Sequence, residues 1–138
     1  MMKICKTYRF EAAHKLKDHD GLCAELHGHS YRVEIEVTGL MQSTPGTSDY
    51  QMVMDFKDLD AIVEPLIASF DHSYLNSAIG LIREFSGCGP PLARTTAEEL
   101  AAFFGGEIMP LITNLSIGRR LSRVRLWETE KSYAEWTP

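Results

Sequence analysis

Two stretches near the start of the chain alternate apolar and polar side chains with a period of two. The first runs from Ile4 to His14 with Lys6 as its one polar exception, and the second follows Gly28. Their apolar positions are Tyr8, Phe10, Ala12, Tyr31, Val33, Ile35 and Val37. Because successive side chains of a strand point to opposite faces, this pattern predicts two strands, each with one face toward a core.

Two later segments place apolar residues at helical spacing instead. The first stripe is Leu59, Ile62, Val63, Leu66, Ile67 and Phe70, and the second is Leu100, Phe103, Phe104, Ile108, Leu111, Ile112 and Leu115. Asp55 is expected to cap the first helix with Asp58 in its first turn, and Thr96 and Glu99 form a capping box before the second. Pro65 predicts a kink or a break in the first helix.

The remaining segments complete the order of elements. A short apolar strand is expected at Met52–Met54, a loop from Ser77 to Arg94, and a last strand at Leu121–Thr129, in which Glu128 lies on the apolar side. The order is then strand, strand, short strand, helix, helix, strand. It predicts an α+β domain in which two helices cover one face of an antiparallel sheet.

Composition narrows the class of protein. The 138 residues predict a single domain, 1–138, and 44% hydrophobic with 24% charged residues is typical of a globular protein. No apolar run is long enough to cross a membrane and the N-terminus lacks the apolar core of a signal peptide, so a cytoplasmic location without a membrane partner is expected. The net charge is −5 and the basic residues are scattered, which argues against a nucleic-acid partner and leaves a small anionic ligand possible.

The chain has three cysteines, Cys5, Cys23 and Cys88. Their odd number and the absence of a pairing pattern argue against a disulfide framework.

The histidines give the first indication of chemistry. His27 and His29 are two residues apart and share the parity of the apolar face of the second strand, and His14 shares that of the first. A single inward histidine is more often a satisfied core residue. Three in phase on two strands favour a metal site, because neutral imidazole is a preferred ligand of Zn²⁺ and an unpaired buried imidazole is costly. Three histidines without a fourth protein ligand are typical of a catalytic zinc site with an open position.

Cys23 lies four residues before His27 and permits two interpretations. It could close a structural zinc site as the fourth ligand, since such sites use short Cys–His spacings. Alternatively it is a free thiolate near a cation, acting as base or nucleophile.

Two acidic positions also have two interpretations each. Asp71 and His72 follow the first predicted helix, either as an ordinary exposed pair or as a proton relay in which the aspartate fixes the histidine tautomer. Glu128 is predicted on a buried face, where a carboxylate needs a partner. It either pairs with an arginine or binds an amidine-like ligand edge in bidentate fashion.

Taken together, several motifs resemble the family of 6-pyruvoyl-tetrahydropterin and 6-carboxy-tetrahydropterin synthases. They are Phe10-Glu11-Ala12-Ala13-His14, Cys23-x-x-x-His27-Gly28-His29, Val53-Met54-Asp55-Phe56, Asp71-His72-x-x-Leu75-Asn76, Thr96-Ala97-Glu98 and Val124-x-Leu126-Trp127-Glu128-Thr129. They span nearly the whole chain in the family's order. The resemblance implies a tunnelling fold, with subunits joined into a trimeric barrel, two trimers stacked as a homohexamer, and active sites between subunits.

The resemblance also implies roles for individual residues. The zinc ligands implied are His14, His27 and His29. Cys23 would be the proton-transfer residue, and its relay partners would be Asp71 and His72. Glu128 becomes the anchor for the 2-amino-pyrimidinone edge of a pterin. The Ser77–Arg94 segment is longer than is usual in the family, and Ala93-Arg94-Thr95-Thr96 replaces its common Asn-Pro-Thr.

The spacing from Cys23 to His27 distinguishes two branches of that family. The three intervening residues resemble the bacterial carboxy-forming enzymes of the queuosine pathway, whereas pyruvoyl-forming enzymes of animals have five. The resemblance therefore implies a zinc-dependent lyase, a 6-carboxy-5,6,7,8-tetrahydropterin synthase acting on 7,8-dihydroneopterin triphosphate with release of acetaldehyde and triphosphate. The alternatives are a pyruvoyl-forming synthase and a non-catalytic zinc- or pterin-binding domain.

Overall fold

The structure is a computed structural model that describes residues 1–82, 94–115 and 118–138, with the backbone alone for 79–82. Cys88 and most of the predicted loop Ser77–Arg94 lie outside the described residues. The elements are β1 (Met2–His14), β2 (His27–Gly39), α1 (Phe56–Phe70), β3 (Ser73–Tyr74), α2 (Leu75–Ile82), α3 (Ala97–Leu115), β4 (Arg120–Thr129) and β5 (Ser132–Trp136). A turn of 3-10 helix, Leu22–Ala24, lies in the β1–β2 connection.

Among the described residues, one sheet contains all five strands, in the order β3-β1-β2-β4-β5. Its pairings are antiparallel except for β3, which adds two residues parallel to the end of β1. The structure thus confirms the α+β class and the alternation on which it rests. Within the described part of the chain, no helix is both long and apolar enough to cross a bilayer.

The core lies between the helices and the apolar face of the sheet. Phe10, Tyr31, Phe70 and Phe104 are fully buried there, and Phe10 stacks on Tyr31 with ring centroids 4.7 Å apart. Lys6, the exception in the β1 pattern, also points to the helical side. It reaches Asp60 of α1 with its ammonium group 2.6 Å from the carboxylate, so the break in hydrophobicity marks a strand–helix ion pair.

Both predicted helix starts are confirmed. The Asp55 carboxylate accepts the Lys57 amide at 2.9 Å, and the Thr96 hydroxyl accepts the Glu99 amide at 3.3 Å. Of the kink or break expected at Pro65, the break does not occur, because α1 runs unbroken to Phe70. The buried residues on both sides of Pro65 hold the helix together despite the lost hydrogen bond.

Other boundaries differ from the prediction. Met52–Met54 is not a strand, since its backbone bends there while Val53 and Met54 remain 2% exposed. The run is apolar because Val53 and Met54 pack in the core, whereas Met52 is exposed. The segment after Tyr74 begins with the helix α2 rather than a loop, and the described residues include three α-helices rather than two. The short strands β3 and β5 also went unpredicted, because two and five residues give too little periodicity.

A close approach between α3 and β5 fixes the last strand against the helix layer. A Cβ added at Gly105 would lie 2.3 Å from Trp136 Cε3 and 2.4 Å from its Cδ2. Only a residue without a side chain leaves room for the indole at this point.

Candidate functional site

The three histidines meet at one end of the sheet because of the β1–β2 register. His14 lies directly opposite His27, and Ala12 lies opposite His29. All three histidines lie at positions whose side chains point to the core face of the sheet, so their rings lie on the same side of it. His14 is buried at 1% exposure, and the other two are half-buried.

The ring nitrogens of this triad converge. One ring nitrogen from each histidine lies within 4.8 Å of the others, and His14 Nε2 is 3.0 Å from His27 Nε2. The opposite nitrogens face backbone carbonyls: His14 Nδ1 is 2.8 Å from Thr95 O, and His27 Nδ1 is 2.8 Å from Glu25 O. A carbonyl oxygen only accepts, so each Nδ1 bears the proton and each neutral ring turns the Nε2 lone pair inward.

Such an arrangement suits a cation. Two lone pairs 3.0 Å apart repel each other unless a proton or a metal ion lies between them. His29 Nε2 is buried and has no hydrogen-bond partner among the described residues. Burial lowers the pKa of both His14 and His29, which favours the neutral form that ligates metals. The donor set therefore fits a three-histidine metal centre.

The groups behind the triad could not be found from the sequence. The Thr95 and Glu25 carbonyls belong to the main chain, which any residue provides. Tyr31 is a buried core residue, as its place in the alternation predicts, and its hydroxyl also lies 3.4 Å from His14 Nδ1. Metal-binding histidines commonly use such partners to fix ring orientation.

Cys23 lies in the 3-10 turn before β2 as a half-buried free thiol. Its main-chain oxygen accepts the Leu16 amide at 2.7 Å, which closes the β1–β2 connection over residues 16–23. Its sulfur does not belong to the group of converging ligand atoms. The fold therefore gives no support to Cys23 as a fourth ligand, and leaves it as a thiol beside the triad in sequence.

Asp71 and His72 lie where α1 ends and β3 begins. The His72 Nδ1 is 3.0 Å from Asp71 Oδ2, and both side chains are exposed, at 79% and 40%. His72 has a positive φ of 54°, a left-handed backbone conformation that is uncommon for residues other than glycine. A groove of about 540 Å³ has both His72 and His29 in its lining.

Glu128 lies next to His29 of the triad. Its Oε1 is 3.7 Å from His29 Nε2, and no arginine of the described residues lies within ion-pair distance of it. The β4–β5 register shifts between Trp127 and Thr129, so Glu128 is the extra residue of a β-bulge. Bulges of this kind often turn a side chain into a site. Glu128 lines a cavity of about 380 Å³, together with Thr96, Glu98 and Tyr133 among others.

Sequence comparison relates this chain to tetrahydropterin synthases. The family model described as 6-pyruvoyl tetrahydropterin synthase matches residues 3–138. The 6-carboxy-5,6,7,8-tetrahydropterin synthase of Haemophilus influenzae is 35% identical over an alignment that covers 99% of both chains. That of Synechocystis is 46% identical over 59% of this chain and 63% of its own.

Solved structures agree on the fold. The 6-pyruvoyl tetrahydropterin synthase of Caenorhabditis elegans superposes with a TM-score of 0.78 at 21% identity, covering 99% of this chain and 95% of its own. The Plasmodium falciparum synthase superposes with a TM-score of 0.67 at 15% identity, covering 99% and 97%. By sequence and by its tunnelling fold, the chain belongs to the 6-pyruvoyl tetrahydropterin synthase family.

Proposed function

We propose that this protein is a 6-carboxy-5,6,7,8-tetrahydropterin synthase. It would convert 7,8-dihydroneopterin triphosphate and water to 6-carboxy-tetrahydropterin, acetaldehyde and triphosphate, a step toward queuosine. The observation that supports the proposal most is the convergence of three histidine nitrogens within 4.8 Å, in a chain 35% identical over its length to a synthase of that name.

The resident ion in this proposal is Zn²⁺, held by His14, His27 and His29. Neutral imidazoles suit this ion, and carbonyl oxygens fix the second ring nitrogens of His14 and His27. Three histidine ligands leave one coordination position open. When bound, zinc would polarise the side-chain oxygens of the substrate and make the adjacent C–H bonds more acidic.

Cys23 and the Asp71–His72 pair are the proposed proton carriers. The Asp71 carboxylate lies 3.0 Å from His72 Nδ1, so it holds a proton on that nitrogen and leaves Nε2 free to exchange one with substrate. Cys23 would take a proton from the substrate carbon and return it at a later step. Reduction of the ring by its own side chain needs no nicotinamide.

Glu128 would anchor the pterin. A carboxylate accepts two parallel hydrogen bonds from the 2-amino group and the adjacent ring nitrogen of a pyrimidinone. No arginine of the described residues neutralises Glu128, and it opens on a cavity of about 380 Å³, within the range of small-ligand pockets.

A complete site in this proposal needs a second copy of the chain. Within one chain the groove at His72 and the cavity at Glu128 share none of their lining residues, although His29 of the groove lies 3.7 Å from Glu128. Leu22 and Leu26, on either side of Cys23, are 88% and 65% exposed, as expected of residues that a neighbour covers. In the described sheet β5 has no strand beyond it, so sheets of adjacent subunits can join there. We propose a homohexamer made of two trimeric barrels, in the cytoplasm, with one domain per chain.

A second candidate function is formation of a 6-pyruvoyl product, because the family model is named for that activity. The three-residue spacing between Cys23 and His27 favours the carboxy-forming reaction. A pyruvoyl-forming enzyme would release triphosphate without acetaldehyde. A non-catalytic zinc or pterin binder would release neither.

Replacement of Cys23 tests the catalytic role. Cys23→Ala should lose most turnover of 7,8-dihydroneopterin triphosphate, by about a hundredfold or more, while zinc content stays at the wild-type level. Cys5→Ala is the matched control, since Cys5 is a free thiol in the same chain, on β1. Unchanged turnover in Cys23→Ala would refute the proton-transfer role, and loss of zinc would make Cys23 a ligand.

A further inference from the structure

Directly after His14, the Asn76 side chain makes the hydrogen bonds that a neighbouring strand would otherwise make to the main chain. The Asn76 Oδ1 accepts the Lys15 amide at 3.0 Å, and the Asn76 Nδ2 donates to the Lys15 carbonyl at 2.9 Å. Both main-chain groups of Lys15 are thus satisfied by a single amide from α2. A carboxamide with both of its polar atoms in use on one residue is held in a fixed orientation.

The same segment also holds β1 three residues before His14. The Asp71 Oδ1 accepts the Glu11 amide at 2.8 Å, and the His72 amide donates to the Glu11 carbonyl at 2.6 Å. Between these two attachments β3 pairs in parallel with Ala12 and Ala13. Residues 71–76 therefore accompany residues 11–15 along the free side of β1, and His14 lies inside this stretch.

The position of His14 depends on that stretch. In the described sheet β3 is the last strand on this side of β1 and contributes only two residues. Beyond Ala13 the attachment of β1 on this side passes to Asn76, because strand pairing has ended. A displacement of well under 1 Å at His14 would change the distance of 3.0 Å between its Nε2 and that of His27.

We propose that Asn76 is a positioning residue of the metal centre, which holds the end of β1 so that His14 meets the other two histidines. This inference rests on the proposed role of the triad as the metal site. The described hydrogen bonds of the Asn76 side chain go to Lys15 and not to the three histidines, so Asn76 acts through the main chain of Lys15.

A consequence follows for the proposed proton carriers. Asp71 binds the Glu11 amide through one oxygen and faces His72 Nδ1 with the other. The orientation of His72 and the position of His14 are therefore set by one clasp, formed by Asp71, His72 and Asn76 on β1. Loosening it at Asn76 should disturb both.

The test is Asn76→Ala, with Asn114→Ala as the matched control at an exposed position of α3. Zn²⁺ affinity is measured by chelator competition, the ligand geometry by the visible absorption of the Co²⁺ form, and the clasp itself by hydrogen exchange of the Lys15 amide in metal-free protein. For Asn76→Ala we expect Zn²⁺ affinity lower by about tenfold, an altered Co²⁺ spectrum and faster exchange at Lys15. Asn114→Ala should match the wild type in all three.

Asn76→Asp keeps an acceptor for the Lys15 amide and loses the donor to its carbonyl, so its Zn²⁺ affinity should fall between wild type and Asn76→Ala. That variant also serves if Asn76→Ala does not fold. An Asn76→Ala protein with lowered thermal stability but wild-type Zn²⁺ affinity and Co²⁺ spectrum would overturn the positioning role alone. A wild-type protein that binds no metal would overturn the metal assignment itself, and unchanged exchange at Lys15 would show that the clasp does not form.

Discussion

The close contact between Gly105 and Trp136 decides whether Gly105→Ala raises or lowers the free energy of unfolding. In Gly105→Ala the new methyl group would lie 2.3 Å from the indole, where ordinary contacts begin near 3.4 Å. The indole, β5 or α3 must therefore move by roughly 1 Å, and forced repacking of this kind costs about 1–3 kcal/mol. Alanine in a helix interior is meanwhile favoured over glycine by about 1 kcal/mol.

The net expectation is a loss of about 1 kcal/mol in the free energy of unfolding, measured by urea denaturation of metal-free protein. This corresponds to a melting temperature lower by roughly 3–5 °C in a chain of this length. In the Trp136→Leu background the same substitution should have the opposite sign, because the smaller side chain leaves room for the methyl group. Since Tyr133 and Ala134 of β5 line the cavity at Glu128, Gly105→Ala should also weaken pterin binding.

Stabilisation of the wild-type background by Gly105→Ala, by the full difference in helix propensity, would refute this reasoning. It would show that the indole does not lie over Gly105 and that β5 does not pack on α3 as described. Equal effects in the wild-type and Trp136→Leu backgrounds would lead to the same conclusion.

Three further predictions concern the site and its supports. Glu128→Gln should weaken pterin binding by about 1.5–3 kcal/mol, or roughly 10- to 150-fold by fluorescence titration, with zinc content unchanged; unaltered binding would remove the anchor role. The pKa of Asp71 lies below its usual value, mainly because the Glu11 amide donates a hydrogen bond to the Asp71 carboxylate. The carboxylate is therefore charged at neutral pH. Its contribution to stability is lost as the pH falls through its folded-state pKa. The stability difference between metal-free wild type and Asp71→Asn should therefore shrink between pH 5 and pH 2 in urea titrations, and a constant difference would contradict this. Asp60→Asn should cost about 1 kcal/mol of stability by weakening the contact with Lys6, and Lys6→Met should remove most of that difference in a double-mutant cycle.

The sequence was sufficient for the parts of this fold that rest on periodicity. The alternation in β1 and β2 predicted both strands and the shared face of His14, His27 and His29, because strand parity is a property of the backbone. The cross-strand register then brought the rings together without any further signal, since His14 and His27 are direct partners. Helix starts at Asp55 and Thr96 were predictable because capping uses a few residue types at fixed positions.

What the sequence did not predict depends on main-chain groups and on contacts between distant segments. The carbonyls of Thr95 and Glu25 that fix two imidazoles have no residue-type signature. The bonds of Asn76 to Lys15 join positions 61 apart, and their partner is a backbone that any residue supplies. The bulge at Glu128 is visible only in the pairing of β4 with β5, a strand too short for its pattern to be seen.

The most direct test of the account is product analysis after the zinc-loaded protein is incubated with 7,8-dihydroneopterin triphosphate. We predict acetaldehyde, triphosphate and 6-carboxy-tetrahydropterin in equal amounts, and we predict that His14→Ala loses zinc and abolishes turnover. A 6-pyruvoyl product without acetaldehyde would contradict the proposed reaction, and intact substrate after incubation would contradict the assignment of this chain as a synthase.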